Sequence, residues 1–318
     1  MKQSYIIGID IGGTDIKAGL FTKKGNIIKW RKIPSNVEKG KDVVLEGIIN
    51  IIEKFEERGM SIFPVLGIVI AGIIDNKKGK IIHSPNLKKL DNFKIRKALK
   101  ERLKKDIVIE NDANGAALGE MWKGAGKRLK NFMLLTLGTG LGSGLVINRK
   151  LWIGEDGNAS EMGHTKIVPD GIKCGCGGKG CLEMYFSSKA IERIVKRVLK
   201  EIRNTRLKQY PLTEAISPRT VYKEAKMGDA VASNIYREIS EFLGIAIANV
   251  INLLGIKNFI LSGGISDAYD LFIPFLTEAI GKNLFYPFSK DFTILKGKLG
   301  NKAGATGAAY LALRTGKI

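Results

Sequence analysis

Apolar residues along the chain follow two rhythms, short uninterrupted runs and longer stretches with helical spacing. Tyr5 to Ile9 is apolar and β-branched and stops at Asp10, which predicts a buried strand. After Gly12-Gly13-Thr14 a second strand is predicted from Ile16 to Phe21, and Lys24-Gly25-Asn26 turns the chain into a third, Ile27 to Ile33. Val43, Val44, Ile48, Ile51, Ile52 and Phe55 share one helical face, predicting a helix over 42–58. Val65 to Ala71 reads as a further strand closed by Gly72, and a basic helix is predicted over 94–105. Ile107 to Ile109 then delivers Glu110-Asn111-Asp112 to the start of a helix running from Ala113 to Glu120. Polar side chains at such a strand end lie where α/β sheets bind ligands.

The pattern repeats further on. Met133 to Leu137 is a predicted strand, followed by Gly138-Thr139-Gly140 and a return strand, Leu145 to Asn148. Both Gly/Thr turns present backbone N–H groups and a hydroxyl to an anion, because glycine allows close approach. Helical patterns cover 187–203 and 219–254, separated by a polar loop with Pro211 and Pro218. Phe259 to Leu261 predicts a strand ending in Ser262-Gly263-Gly264, and Ala303 to Ala309 opens a small-residue helix suited to very close packing. The repetition suggests a duplicated α/β unit with one phosphate turn in each half.

A length of 318 residues is enough for two domains with their own cores. The net charge of +21 is spread over nearly every segment and forms no basic arm, which fits a solvated surface better than a nucleic-acid interface. The longest apolar run, Ile62 to Ile74, contains Pro64 and is too short to span a bilayer. No signal peptide is expected at the N-terminus. There is no Walker A motif. The one G-x-G-x-x-G string, Gly175 to Gly180, follows no strand and so fails the dinucleotide context. His83 has no cysteine or carboxylate beside it and reads as a loop residue.

Unusual chemistry is concentrated between Glu161 and Glu183. Cys174, Cys176 and Cys181 are the chain's three cysteines, and His164 lies ten positions before the first. Three thiolates and an imidazole make the closed ligand set of a structural zinc site. Three cysteines cannot all pair as disulfides, so a reducing, cytoplasmic setting is expected.

Gly163-His164 followed by Cys174-Gly175-Cys176-Gly177-Gly178-Lys179-Gly180-Cys181-Leu182-Glu183 resembles the signature of the ROK family (repressors, open reading frames, kinases). Asp10-Ile11-Gly12-Gly13-Thr14 and Leu137-Gly138-Thr139-Gly140 resemble the two phosphate motifs of the sugar kinase and actin-like ATPase superfamily. Ser262-Gly263-Gly264 resembles its adenosine-binding turn, and Ala303 to Ala309 its closing helix. The resemblance implies a two-lobed, ribonuclease-H-like α/β fold with its active cleft between the lobes. The expected division is 1–112 plus 303–318 as the smaller lobe, and 113–302 as the larger lobe carrying the zinc loop.

The same resemblance implies an ATP-dependent hexokinase with Mg²⁺ at the nucleotide, Asp10 being suited to hold it. Asp112 is the candidate general base, since a sugar hydroxyl must lose its proton as the P–O bond forms. Asn86, Asn111, Asp112, Glu161, His164 and Glu183 form a sugar-binding set similar to that of ROK glucokinases, which implies transfer to O6 of glucose. Kinases for mannose, fructose, N-acetylmannosamine and N-acetylglucosamine share most of that set. His164 would hold zinc with one ring nitrogen and sugar with the other. Homodimers or homotetramers are implied, without nucleic-acid or membrane partners.

Three departures from the family's pattern stand out: Asp15 after the first phosphate turn, Ser143 in a commonly all-glycine run, and Ser160 where glycine is frequent. A ROK-type repressor is disfavoured, because such proteins carry a helix-turn-helix ahead of the first phosphate motif, which here begins at residue 10. A glycosidase using Glu161 and Glu183 as its carboxylate pair would leave the phosphate turns without a purpose.

Overall fold

The computed structural model describes residues 4–56, 61–202, 204–210, 216–285 and 291–316. The far ends of the predicted helices at 57–58 and 203, and Pro211, lie outside these residues. The chain divides into two compact units. The first comprises 1–134, 144–160 and 297–318, and the second 135–143 and 161–296.

In the first unit, β1 (Ser4–Ile11), β2 (Asp15–Phe21) and β3 (Ile27–Pro34) form an antiparallel meander. Helix α1 (Lys41–Glu56) follows, then β4 (Ser61–Ile62) beside the start of β1 and β5 (Val65–Ile70) parallel to β1. A separate hairpin, β6 (Ile73–Asp75) and β7 (Lys80–His83), precedes α2 (Ile95–Leu103). Strand β8 (Asp106–Asn111) joins parallel to β5, and α3 (Asp112–Lys123) begins at the next residue. The strand order is therefore β3-β2-β1-β5-β8, with β4 off the path. The carboxyl ends of the three parallel strands lie in one row, with Asp10 level with Val69 and Val69 level with Glu110.

A second sheet has the order β11-β10-β9-β12-β13. Its elements in chain order are β9 (Phe132–Leu137), β10 (Leu141–Ile147), β11 (Lys150–Trp152), α4 (Ser188–Glu201), α5 (Pro218–Lys226), α6 (Ala230–Leu254), β12 (Asn258–Ser262), α7 (Tyr269–Asn283) and β13 (Thr293–Lys296). The predicted helical block at 219–254 is two helices, because Gly228 takes a left-handed φ of 89°. Asp229 then caps α6 by accepting from Ala232 N. The short pairs β6–β7 and β13, and helix α7, were not legible as elements from the apolar pattern.

Helix α8 (Ala303–Thr315) returns to the first unit. It fits because glycines leave room for it. A Cβ on Gly8 of β1 would lie 2.0 Å from Ala305 O, and one on Gly67 of β5 would lie 1.8 Å from Ala308 O. On α3, a Cβ on Gly119 would lie 2.2 Å from Ala303 O, while one on Gly307 would meet Gly115 O at 1.7 Å. The close packing expected of Ala303 to Ala309 is realised against β1, β5 and α3. The first unit accordingly extends past residue 112 to take in α3. On the sheet's other face α1 buries Ile48, Ile52 and Phe55 in a core with Ile7, Ile9 and Ile68.

Candidate active site and metal-ligand cluster

Asp10 is the last residue but one of β1, and the turn after the strand closes through Gly12 N donating to Asp15 O at 2.9 Å. Ser35, which sequence reasoning missed, braces this turn: its Oγ donates to Gly13 O at 2.6 Å and its N–H donates to Thr14 O at 2.8 Å. Its sequence signal is a serine following a predicted strand, too common to single out. Thr14 is exposed. Asp15, one of the departures, is held by Lys32 Nζ at 2.9 Å, so its charge has a partner on β3. Asn86 lies against the turn, where a Cβ on Gly13 would come within 3.1 Å of Asn86 Cβ and 3.2 Å of Asn86 O.

Two carboxylates converge at this edge. Burial pushes the Asp10 carboxyl up to about 6, against the opposing pull of Lys17, and the nearby negative charge of Asp112 adds to the rise. Lys17 is a second residue missed by sequence reading. It is the register partner of Asp10 on β2, with Nζ 3.6 Å from Asp10 Oδ2. Burial also raises Asp112, against hydrogen bonds from the Ala113 and Asp112 backbone N–H groups.

Asn111, predicted as a sugar ligand, is the N-cap of α3. Its Oδ1 accepts from Ala113 N at 2.8 Å and Asn114 N at 3.2 Å, while Nδ2 donates to Gly72 O at 3.0 Å. These bonds fix the first turn of α3 and hence Asp112, leaving Asn111 one amide hydrogen for other partners. Behind it, buried Glu110 accepts from Asn111 N at 2.8 Å, Asn114 Nδ2 at 3.1 Å and Asn76 Nδ2 at 2.8 Å. Sequence reading assigned Glu110 no role.

His83 requires a correction. Its Nδ1 lies 2.8 Å from Asp91 Oδ2, and Asp91 Oδ1 accepts from Ser84 N at 2.8 Å. The carboxylate was missed because it is eight residues away in sequence and arrives when the loop holding Asn86 folds back.

In the second unit the Gly138-Thr139-Gly140 turn is pinned from several sides. Gly138 N donates to Gly140 O at 3.0 Å, and Gly138 O accepts from Ser188 N at the start of α4 at 2.8 Å. Glu183 Oε2 accepts from Leu141 N at 3.0 Å. Gly263, with φ of 90°, abuts Leu137, where a Cβ would come within 2.5 Å of the carbonyl oxygen. Gly138 and Gly264 border open space, where a Cβ would meet nothing within 4 Å. Ser143 accepts from Met162 N at 3.1 Å, securing the short helix that ends in His164. Ser160 has a left-handed φ of 69°, the conformation that favours the glycine frequent in relatives. Glu161, the next residue, is exposed.

The ligand atoms of His164, Cys174, Cys176 and Cys181 all lie within 4.8 Å of one another. Cys176 and Cys181 sulfurs are 3.6 Å apart, and Cys174 Sγ is 3.8 Å from His164 Nδ1. Zinc–ligand bonds of ~2.0–2.3 Å in a tetrahedron give edges of about 3.5–3.8 Å, so these separations fit. Burial pushes the Cys174 thiol up to about 11, whereas the Gly178 backbone N–H lowers that of Cys176. A trio of ionised sulfurs here needs a cation to be stable, and Lys166 Nζ, 2.6 Å from Cys181 Sγ, supplies only part of that charge. The cluster is compatible with a structural zinc ion.

The fold that carries the two Gly/Thr turns, the carboxylate at the head of α3 and the Cys/His loop is that of a sugar kinase of the actin-like ATPase class. The ROK family profile matches residues 6–315, and the chain belongs to the ROK family. The glucokinase of Halalkalibacterium halodurans is 33% identical over 98% of this chain and 96% of its own length. That of Streptomyces coelicolor is 35% identical over 96% of each chain. A ROK family glucokinase from Streptomyces griseus, solved in complex with glucose and AMPPNP, superposes with a TM-score of 0.84. It is 33% identical, and the match covers 98% of this chain and 100% of that one. Among the described residues no helix is long and apolar enough to cross a membrane.

Proposed function

We propose that this protein is an ATP-dependent glucokinase, transferring the γ-phosphate of ATP to O6 of glucose. The carrying observation is Asp112, a desolvated carboxylate fixed at the head of α3 beside the Asp10 phosphate turn in a ROK family chain.

Asp112 takes the proton of the sugar hydroxyl as the hydroxyl attacks phosphorus. Burial raises its affinity for that proton, which suits a general base. The capping amide of Asn111 keeps the carboxylate in place. Backbone N–H groups of Gly12–Thr14 and Gly138–Gly140 bind phosphate oxygens, and Gly263–Gly264 receives the nucleoside. Asp10 is the carboxylate that would hold Mg²⁺ with the nucleotide, and the ion would supply neutralisation of phosphate charge. Asn86, Asn111, Glu161, His164 and Glu183 are the residues assigned to sugar hydroxyls. His164, Cys174, Cys176 and Cys181 would hold a structural zinc ion, which would fix the loop bearing Glu183 without a part in bond making. Cysteine usage favours the cytoplasm, and the family resemblance implies a homodimer or homotetramer.

A coupled assay for sugar-dependent ADP release, run over glucose, mannose, fructose, N-acetylglucosamine and N-acetylmannosamine, tests this. Glucose is expected to give the highest kcat/KM, with glucose 6-phosphate as product. A higher value for another sugar would reassign the substrate, and no sugar-dependent ADP would defeat the kinase reading.

A further inference from the structure

Glu183 is assigned above to the sugar, yet its carboxylate is already engaged with the second phosphate turn. Oε2 accepts from Leu141 N at 3.0 Å, immediately after Gly140. The carboxylate lies over Gly140 itself: a Cβ there would be 2.4 Å from Oε2, 3.2 Å from Cδ and 3.9 Å from Oε1. Thus Oε2 faces the turn and Oε1 faces away from it. Gly140 lacks a side chain where the carboxylate sits, so the glycine is needed for Glu183 as well as for close approach of a phosphate.

The placement of Glu183 is itself rigid. Leu182 before it is fully buried and its N–H donates to Thr165 O at 3.0 Å. Met184 after it donates through its N–H to Cys181 O at 3.0 Å. Cys181 is in the Cys/His cluster and pairs with Lys166 as an isolated bridge. The carboxylate is therefore carried on a fixed peptide, and a force on it passes to the Gly138–Gly140 turn.

Building on the glucokinase reading, we propose that Glu183 is one carboxylate shared by two ligands. Oε2 holds the phosphate turn in shape for ATP, and Oε1 accepts from a glucose hydroxyl, so each ligand tightens the site of the other. A carboxylate has enough lone pairs for both partners, and a sugar hydroxyl on Oε1 fixes the rotamer that Leu141 N needs. Coupling of this kind is reciprocal: glucose strengthens nucleotide binding by the factor by which nucleotide strengthens glucose binding.

The test measures each ligand alone, by titration calorimetry on the full zinc-loaded chain with metal content assayed for every variant. Mg·AMPPNP is titrated without sugar into wild type, Glu183→Ala and Glu183→Gln. Glu183→Ala is expected to weaken nucleotide binding at least about fivefold, the lower range for site coupling. Glu183→Gln should recover most of the loss, because an amide oxygen still accepts from Leu141 N. Glucose is then titrated without nucleotide into Gly140→Ala. That methyl displaces the carboxylate from the turn without altering the Cys/His loop, and a severalfold loss of glucose affinity is expected.

Wild-type nucleotide affinity in Glu183→Ala, together with unchanged glucose affinity in Gly140→Ala, overturns the sharing. If Glu183→Ala loses its metal, the Gly140→Ala arm alone decides, in either direction. Failure of the wild type to bind Mg·AMPPNP at all counts against the kinase reading instead, so the two failures are distinct.

Discussion

Lys17 Nζ lies 3.6 Å from Asp10 Oδ2 across a register pair of β1 and β2. The ammonium does not offset the cost of burying Asp10, whose carboxyl still rises to about 6. An acid raised in the folded state stabilises the fold only while protonated. Its favourable contribution is complete below the unfolded pKa, near 3.8, and is lost as pH rises through about 6.

Asp10→Asn should therefore stabilise the ligand-free protein at pH 8, by at most about 3 kcal/mol, while impairing nucleotide-dependent turnover. The gain should disappear at pH 4. Melting curves of both proteins at the two pH values check this, and a variant less stable than wild type at pH 8 would contradict it.

Asp112→Asn keeps the side chain's size and removes its proton affinity. Turnover at saturating sugar should fall by at least ~10², with a much smaller change in sugar affinity. Because burial raises the Asp112 pKa, the acid limb of wild-type kcat should lie above the ordinary aspartate value. Steady-state kinetics against pH read both effects. Near-normal turnover in Asp112→Asn would mean another group takes the proton.

Cys176→Ser should lose bound zinc and thermal stability together. The stability loss should be on the order of 3 kcal/mol, as for loss of a structural metal. Elemental analysis paired with melting curves tests the link. Wild type purified without chelators and found to contain no zinc would remove the basis of this expectation.

Gly307→Ala places a methyl where Gly115 O already lies, 1.7 Å from the position of its Cβ. The three atoms nearest the clash are all backbone, so α3 and α8 must separate. A loss of more than about 2 kcal/mol is expected, read from urea midpoints. A midpoint equal to wild type would show that α3 and α8 can part without cost.

The strands and the two Gly/Thr turns were readable because their residues are local: Asp10 through Thr14, and Gly138 through Gly140, are continuous strings. The Cys/His cluster was readable for the same reason. What escaped depends on residues brought together by folding. Ser35 reaches Gly13 from the end of β3, Lys17 meets Asp10 across two strands, and Asp91 meets His83 after a loop closes. Glu183 and Asn111 were singled out as sugar ligands, but their bonds to Leu141 and to the α3 backbone have no pattern in sequence. Helix α6 was seen without its break from α5, which the positive φ of Gly228 and the Asp229 cap mark in the folded chain.

The glycine slots for α8 also bear on how the chain is made. Strands β1 and β5 and helix α3 emerge from the ribosome long before residues 303–315, yet their surface around Gly8, Gly67, Gly115 and Gly119 is shaped to receive that helix. Until it arrives the nascent first unit shows an unfilled apolar face, including Ile6, Phe21 and Val65, to any chaperone or neighbouring chain. Synthesis at ~5–20 residues per second makes that exposure last many seconds. Asp112, at the head of α3, thus owes its final setting to a segment translated almost two hundred residues later.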